Sequence, residues 1–419
     1  MKTIAIIAAL DTKGDEARYI EGLIQQRGHH TVLIDVGVLT SPQGRVDVTS
    51  AEVAHQGGVE LHELRGSADK ARAMATMTRG ATLVAAQLHA AQRIDAMIGI
   101  GGSAGTAIAA SAMRALPIGL PKVLVSTVAS GDTRPYVGTK DIAMLYSVVD
   151  IAGLNRISSR VLANGAGAVI GMVETELQSR RERPLIAATM FGNTTRCVEQ
   201  ARGSLEAAGF EVLVFHATGA GGMTMEGLIA DGLVDGVLDV TTTEWADELC
   251  GGVFSAGPKR LDGAALAGVP QVVAPGCLDM VNFAAPDAVP ARYAKRKLFH
   301  WNPNVTLMRT NVEENEELGR ILAAKINQST GPVKVLLPLR GVSQLDSFGG
   351  EFWWPEADQA LFHRLQADLR ADIPVIALEA NINDPAFADR AAKELLELMR
   401  DRTSNATAPS STTGGWEAT

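Results

Sequence analysis

Cysteine is scarce. Three cysteines in 419 residues, Cys197, Cys250 and Cys277, lie far apart with no Cys-x-x-Cys pair. That spacing excludes a disulfide framework and a zinc site, and it fits free thiols in a reducing cytoplasm. Basic residues are also in deficit, 38 Lys and Arg against 47 Asp and Glu for a net charge of −9. Broad capture of nucleic acid, which depends on clustered Lys and Arg, is therefore not expected. No apolar run approaches the roughly 18 residues of a membrane span. The amino-terminal "MKTIAIIAAL" breaks off at Asp11 without a small-residue cleavage site, so it reads as a buried parallel strand and not as a signal peptide. A cytoplasmic chain without a membrane or nucleic-acid partner is the expectation.

What is abundant is glycine, 42 residues, in a chain that is 46% hydrophobic, 20% charged and only 5% aromatic. This balance suits alternating strands and helices packed through small residues. Self-comparison adds an organisation. "IAIIAALDTKGDEARYIEGLIQQRGHHTVLIDVG" from Ile4 matches "LIAATMFGNTTRCVEQARGSLEAAGFEVLVFHAT" from Leu185 at one constant offset, which sets Gly28 on Gly209. "IDAMIGIGGS" from Ile94 then matches "VDGVLDVTTT" from Val234, and "KVLVST" from Lys122 matches "QVVAPG" from Gln271. Duplication and the shared grammar of βαβ units both account for this. Either way the expected fold is α/β, with two doubly wound, mainly parallel Rossmann-like domains, residues 1–178 and 184–400, and an inter-domain cleft. The charged "SRRER" from Ser179 joins them, and residues 401–419 form a small, polar, disordered tail.

In an open parallel sheet, ligands bind beyond the carboxyl ends of the strands. The first-domain candidates by that rule are "DTKGDE" from Asp11, "GGSAGT" from Gly101 and "SGDT" from Ser130. Gly99, Gly101 and Ala104 have the G-x-G-x-x-G/A spacing, yet Ser126 and Thr127 stand where a dinucleotide site wants an acid, and no Gly-Lys-Ser/Thr follows. What remains is backbone: Gly101, Gly102, Ser103, Gly105 and Thr106 offer a close approach and N–H groups to an anion, or simply make a tight turn. Lys13 can neutralise a phosphate and Asp11 can hold magnesium; equally, Thr12 caps a helix whose first turn carries acids. Ser130, Gly131 and Thr133 supply more small donors, or a surface turn.

In the second domain, Gly219, Gly221 and Gly222 again precede a helix. His216 is the one histidine at a predicted strand end beside such a loop, an acid-base candidate or a structural histidine. Glu244, Asp247 and Asp279 are the carboxylates on offer, with a solvated helix start as the alternative for Asp247. Arg340, after "LLPL", suits a carboxylate or phosphate clamp, or a salt bridge. "FWWP" from Phe352 reads as core or interface.

Taken together, "AALDTKGDE", "GIGGSAGT", "HATGAGGMTME", "PGCLDMVNF" and "NPNVTLMRT" resemble the ATP-binding family typified by the amino-terminal part of the plant tobamovirus resistance protein. The likeness runs from about Thr3 to Arg400. It implies ATP with magnesium, nucleotide contacts at Asp11, Thr12, Lys13, Gly101–Thr106 and Ser130–Thr133, a homodimer, and a separate TIM-barrel protein as a partner. The family's His-Asn-Pro is Trp301-Asn302-Pro303 here, with His300 one place earlier, so the role of that histidine does not carry over. The expected function is an ATP-binding enzyme, or enzyme component, acting on a small acidic metabolite held between His216, Asp279 and Arg340. The alternative is a nucleotide-gated interaction module without turnover. An NAD dehydrogenase is disfavoured by the missing acid near Ser126.

Overall fold

The computed structural model describes residues 1–66, 69–176 and 183–406. The chain divides into two compact units, Met1–Arg180 and Arg181–Thr419. Residues 179–182 of the charged joint and residues 407–419 of the expected tail fall outside the described residues.

The first unit is built on β1 (Thr3–Ala8), β2 (His30–Asp35), β3 (Ala96–Gly101), β4 (Lys122–Ser126) and β5 (Ala143–Tyr146), in the order β2-β1-β3-β4-β5. All four pairings are parallel. From Ile4 the run "TIAIIA" is apolar and buried because helices cover both faces of the sheet. Ile4, Ile6 and Ala8 pack with Ile20 and Ile24 of the helix Leu10–Gln26 and with Leu162 of the helix Ser158–Glu174. Ala5 and Ile7, pointing the other way, meet Met77 of the helix Lys70–Ala90 and Ala109 of the helix Ser103–Arg114. Each isoleucine so buried contributes about 1.5–3 kcal/mol.

The second unit has a six-stranded parallel sheet of β6 (Leu185–Met190), β7 (Glu211–His216), β8 (Gly236–Thr241), β9 (Gln271–Gly276), β13 (Val333–Pro338) and β14 (Val375–Leu378), in the order β14-β13-β9-β8-β6-β7. Between β9 and β13 the chain forms β10 (Met280–Phe283), β11 (Leu298–Asn302) and β12 (Val305–Arg309), a small antiparallel sheet ordered β10-β12-β11. The last helix, Pro385–Ala406, runs on through Arg402–Ala406, residues whose polar composition had suggested tail.

The internal match maps onto the two sheets strand by strand. β1 falls on β6, β2 on β7, β3 on β8 and β4 on β9, with the same neighbours in each sheet. Gly28 and Gly209, paired by that match, both end a helix with positive φ, 81° and 99°, a conformation that glycine adopts without strain. Strand order therefore reverses at equivalent places, between β1 and β3 and between β6 and β8, where doubly wound sheets open a crevice. Among the described residues, no helix is long and apolar enough to cross a membrane.

Candidate functional site

The crevice of the first unit is open. A cavity of about 300 Å³ lies at the ends of β1, β2 and β3, lined by Asp11, Thr12, Gly37, Met74, Gly105 and Ile108 among others. A second, more polar cavity of about 760 Å³ shares Asp11 and Thr12 and continues past Gly14, Asp15 and Arg18. The helix Ser103–Arg114 begins at Gly102 without a side-chain cap, whereas the first N–H of Leu10–Gln26 donates to the buried Asp35 Oδ1 at 3.0 Å. Thr12 is not the cap its position suggests, since its hydroxyl donates to the Ala9 carbonyl at 3.3 Å.

The glycines of "GIGGSAGT" separate into two kinds. A Cβ on Gly99 would meet Ala109 and Leu124 at 2.9 Å, and one on Gly101 would meet the Gly105 and Thr106 backbone at 2.7–2.8 Å. Close packing of strand on helix accounts for these two. At Gly102 a Cβ would meet only Thr127 Oγ1, at 3.9 Å, and at Gly105 only the Ile100 carbonyl, at 3.5 Å. Packing gives no reason for either, and Gly105 lines the cavity. Ser103 is exposed at the helix start, while Thr106 turns inward, its Oγ1 2.7 Å from Ser126 Oγ.

Asp11 Oδ2 accepts from the Leu39 N–H at 2.8 Å, which ties the loop after β2 to the end of β1. Lys13 sits at a kink in its helix (φ −128°, ψ 21°). Among the described residues its ammonium has no hydrogen-bond or ion-pair partner, though it does not line the cavity. Ser130, Gly131 and Thr133 belong to a surface turn held by the exposed pair Asp132–Arg134 at 2.8 Å, and they do not line the cavity either. The rule of strand ends, applied to β1, β3 and β4 alone, missed the loop Val36–Leu39 after β2 and, with it, Lys70 and Met74 across the cavity.

In the second unit the equivalent crevice is filled. Where the first unit has Gly101-Gly102-Ser103-Ala104, the second has Thr241-Thr242-Thr243-Glu244, all buried. Thr194 and Thr241 pair through their hydroxyls at 2.8 Å. Glu244 Oε1 accepts from the N–H groups of Gly219 (2.8 Å) and Gly222 (3.1 Å). The glycine loop is thus a nest whose anion is the chain's own carboxylate. Its glycines answer to packing: a Cβ on Gly222 would meet Glu244 Oε2 at 2.3 Å, and one on Gly221 the His216 carbonyl at 1.8 Å. Gly222→Ala should lower the denaturation midpoint by an amount worth about 2 kcal/mol or more, as overpacking beside a buried charge does; a change under about 0.5 kcal/mol would contradict this geometry.

His216, Asp279 and Arg340 do not converge. β6, β8 and β9 lie between β7, which ends at His216, and β13, which precedes Arg340. At about 4.8 Å per strand, that is on the order of 19 Å. Arg340 is exposed and pairs with Glu379 at 3.4 Å. Asp279 is fully buried and accepts from Ser343 Oγ at 2.8 Å; burial, and then the neighbouring Asp346 charge, raises its pKa. Asp247 is no solvated helix start: it is buried and bound to Asn282. Phe352 of "FWWP" is core, whereas Trp354 remains 38% exposed. His216 opens on a cavity of about 230 Å³, shared with Phe191, Asn193, Phe254 and Trp301.

Two doubly wound parallel units, one with an open crevice at its strand reversal and one with that crevice filled, define a Rossmann-like α/β protein of two topologically equivalent halves. The amino-terminal domain of an uncharacterised protein family (UPF0261) matches residues 2–178 and its carboxyl-terminal domain residues 183–399, and the chain belongs to this family. A UPF0261 protein of Clostridium tetani is 49% identical over 400 residues, 95% of this chain and 99% of its own. The ToMV susceptible protein tm-1(GCR26) of Solanum lycopersicum is 40% identical over 361 residues, 84% of this chain. The chain spans about half the length of that tomato relative, 47% of it being covered. Among solved structures, Acinetobacter baumannii MurG aligns over 95% of this chain and all of its own at 12% identity, with a TM-score of 0.23.

Proposed function

We propose that the chain is a nucleotide-binding protein whose first unit holds ATP, with magnesium, in the crevice between β1 and β3. The contrast between the two halves carries this reading. At equivalent turns, one half fills its crevice with Thr241–Glu244, and the other keeps Gly102 and Gly105 empty beside a cavity and the uncapped start of the helix Ser103–Arg114. Free N–H groups and the positive end of a helix dipole favour a phosphate there. Val36, Met77 and Ile108 offer apolar surface to a base.

No three His, Cys, Asp or Glu side chains among the described residues stand close enough to hold a metal. Magnesium fits only as the nucleotide's companion, taking one carboxylate and phosphate oxygens. Asp11 is the carboxylate on the cavity wall, and an unaccompanied triphosphate would be repelled by it. Lys13 and Lys70 supply the nearby positive charge. The homodimer and the TIM-barrel partner implied by the family resemblance belong to the same proposal.

The second reading, a nucleotide-gated module without turnover, gains from the dispersal of His216, Asp279 and Arg340, which leaves no assembled site for a small acidic metabolite. Titration calorimetry tests the binding. Gly105→Leu improves helix propensity while filling the cavity, so it should cost at least tenfold in Mg-ATP affinity with stability retained. EDTA and Lys13→Ala should each weaken binding as well. Unchanged affinity in Gly105→Leu sinks the site, and ADP release in a turnover assay would decide against gating alone.

A further inference from the structure

The small antiparallel sheet of the second unit ends in an open edge. β12 lies between β10 and β11, so β11 has a neighbour on one side only. Leu298 stands opposite Met308, Phe299 opposite Leu307 and His300 opposite Thr306. In the same register Lys297 faces Arg309, whose N–H donates to the Lys297 carbonyl at 2.9 Å. Residues of an antiparallel pair alternate between bonded and non-bonded positions. The backbone groups of Lys297 and Phe299 are therefore turned towards β12, and the N–H and C=O groups of Leu298 and His300 point to the free edge. No backbone or side chain among the described residues bonds to them there.

The charge beside this edge runs against that of the whole. The chain carries −9, yet from Ala288 to Val312 it has no Asp or Glu and five Lys or Arg. Two of the five are paired, Arg309 with Asp358 at 2.7 Å and Arg296 with Glu314 at 2.6 Å. Arg292, Lys295 and Lys297 are exposed, and neither lysine ammonium has a partner among the described residues. Trp301, at the bulge after His300, is 47% exposed. Lysines and a bulge deter a free edge from pairing with a neutral strand. The same lysines attract an acidic one. A second copy, edge to edge, would bring two basic segments together with no acid between them. A nucleic acid could meet the lysines, but its phosphodiester backbone has no N–H with which to continue the ladder.

We propose that β11 is a docking edge for an acidic, extended segment of another protein, which adds as a further strand beside Leu298–Asn302 with its carboxylates at Lys295 and Lys297. In strand addition the main-chain bonds supply affinity and the flanking side chains supply specificity. The site rests on no part of the nucleotide crevice. Fluorescence polarisation of the full chain with a labelled octapeptide of alternating glutamate and valine tests it. The comparisons are the lysine–valine octapeptide, the glutamate–valine octapeptide methylated at every backbone nitrogen, and oligothymidylate. The acidic peptide should bind at least tenfold more tightly than all three, and it should protect the Leu298 and His300 amides from hydrogen exchange. Lys295→Glu combined with Lys297→Glu should weaken it at least tenfold and leave the melting curve unchanged, since both side chains are exposed. Equal binding of the methylated peptide would leave charge attraction alone, and tighter binding of oligothymidylate would assign the patch to nucleic acid. Leu298 and His300 amides already protected in the free chain would assign the edge to a second copy. Each of these results overturns the proposal, as does no binding of the acidic peptide at millimolar concentration.

Discussion

Arg260→Met is expected to cost about 3–5 kcal/mol of stability, the range found when one partner of a buried ion pair is removed. Arg260 is 1% exposed and lies among three carboxylates. It forks onto Asp239, with Nη1 to Oδ2 at 2.5 Å and Nη2 to Oδ1 at 2.6 Å. Its Nε donates to Glu244 Oε2 at 2.6 Å, and Nη1 reaches Glu226 Oε1 at 3.2 Å. Burial alone would lower its pKa, but the charges of Asp239 and Glu244 outweigh that and hold it well above the ordinary value.

Methionine keeps much of the volume and supplies no donor, so three buried acids would have to take up protons or water. Glu244 also carries the Gly219–Gly222 loop, and Glu226 accepts from the N–H groups of Leu261 and Gly263, both at 2.6 Å. The damage should therefore spread to both segments. Urea denaturation gives the number, and a loss under about 1 kcal/mol would refute the account. Adding Asp239→Asn and Glu244→Gln to Arg260→Met should recover part of the loss, because it removes the charges that the arginine had balanced.

This cluster also marks where the sequence was silent. Asp239, Glu244 and Arg260 lie in separate segments with no motif spacing, and only the fold brings them together. Strands were legible because residues such as Ile4–Ala8 must be apolar on both faces in a doubly covered sheet. The halves were legible because backbone grammar, as at Gly28 and Gly209, survives in sequence. What sequence could not separate was a glycine loop that is open from one already occupied. Gly101–Gly105 and Gly219–Gly222 look alike, and the difference is the distant Glu244 carboxylate. For the same reason the convergence of His216, Asp279 and Arg340 was expected and is not found: all three follow strands, but strands too far apart in the sheet. The antiparallel β10-β12-β11 sheet was unforeseen because "VTLMR" and "LFHWN" give no sign of which strands they pair with.

Raising the pH from 5 to 8 is expected to destabilise the chain by several kcal/mol. In the second unit, burial pushes the Asp247 carboxyl up to about 7, against the lowering effect of its hydrogen bonds from Asn282. Burial followed by the Asp346 charge raises both Asp279 and Asp358, and burial raises Glu226. These groups keep their protons in the folded chain over a range where the unfolded chain, titrating near pH 4, has lost them. Their stabilisation is complete below the unfolded pKa and is lost as pH rises through the folded one. Each pH unit between 5 and a group's folded value costs about 1.4 kcal/mol, or about 3 kcal/mol for Asp247 taken alone. Glu314 and Glu394, whose values are lowered, act in the opposite sense, but their contribution falls away only below about pH 4.5. Asp247→Asn should flatten much of the slope: Asn282 Oδ1 is buried without a partner, so a turned Asn282 amide can accept from the new side chain. Asp279→Asn can keep the Ser343 hydrogen bond while shedding the charge, so it should raise the melting temperature at pH 8 and change it little at pH 5. A wild-type melting temperature that is level from pH 5 to 8 would mean these acids are ionised in place, and the buried cluster around Arg309 would then need a positive charge beyond that one arginine.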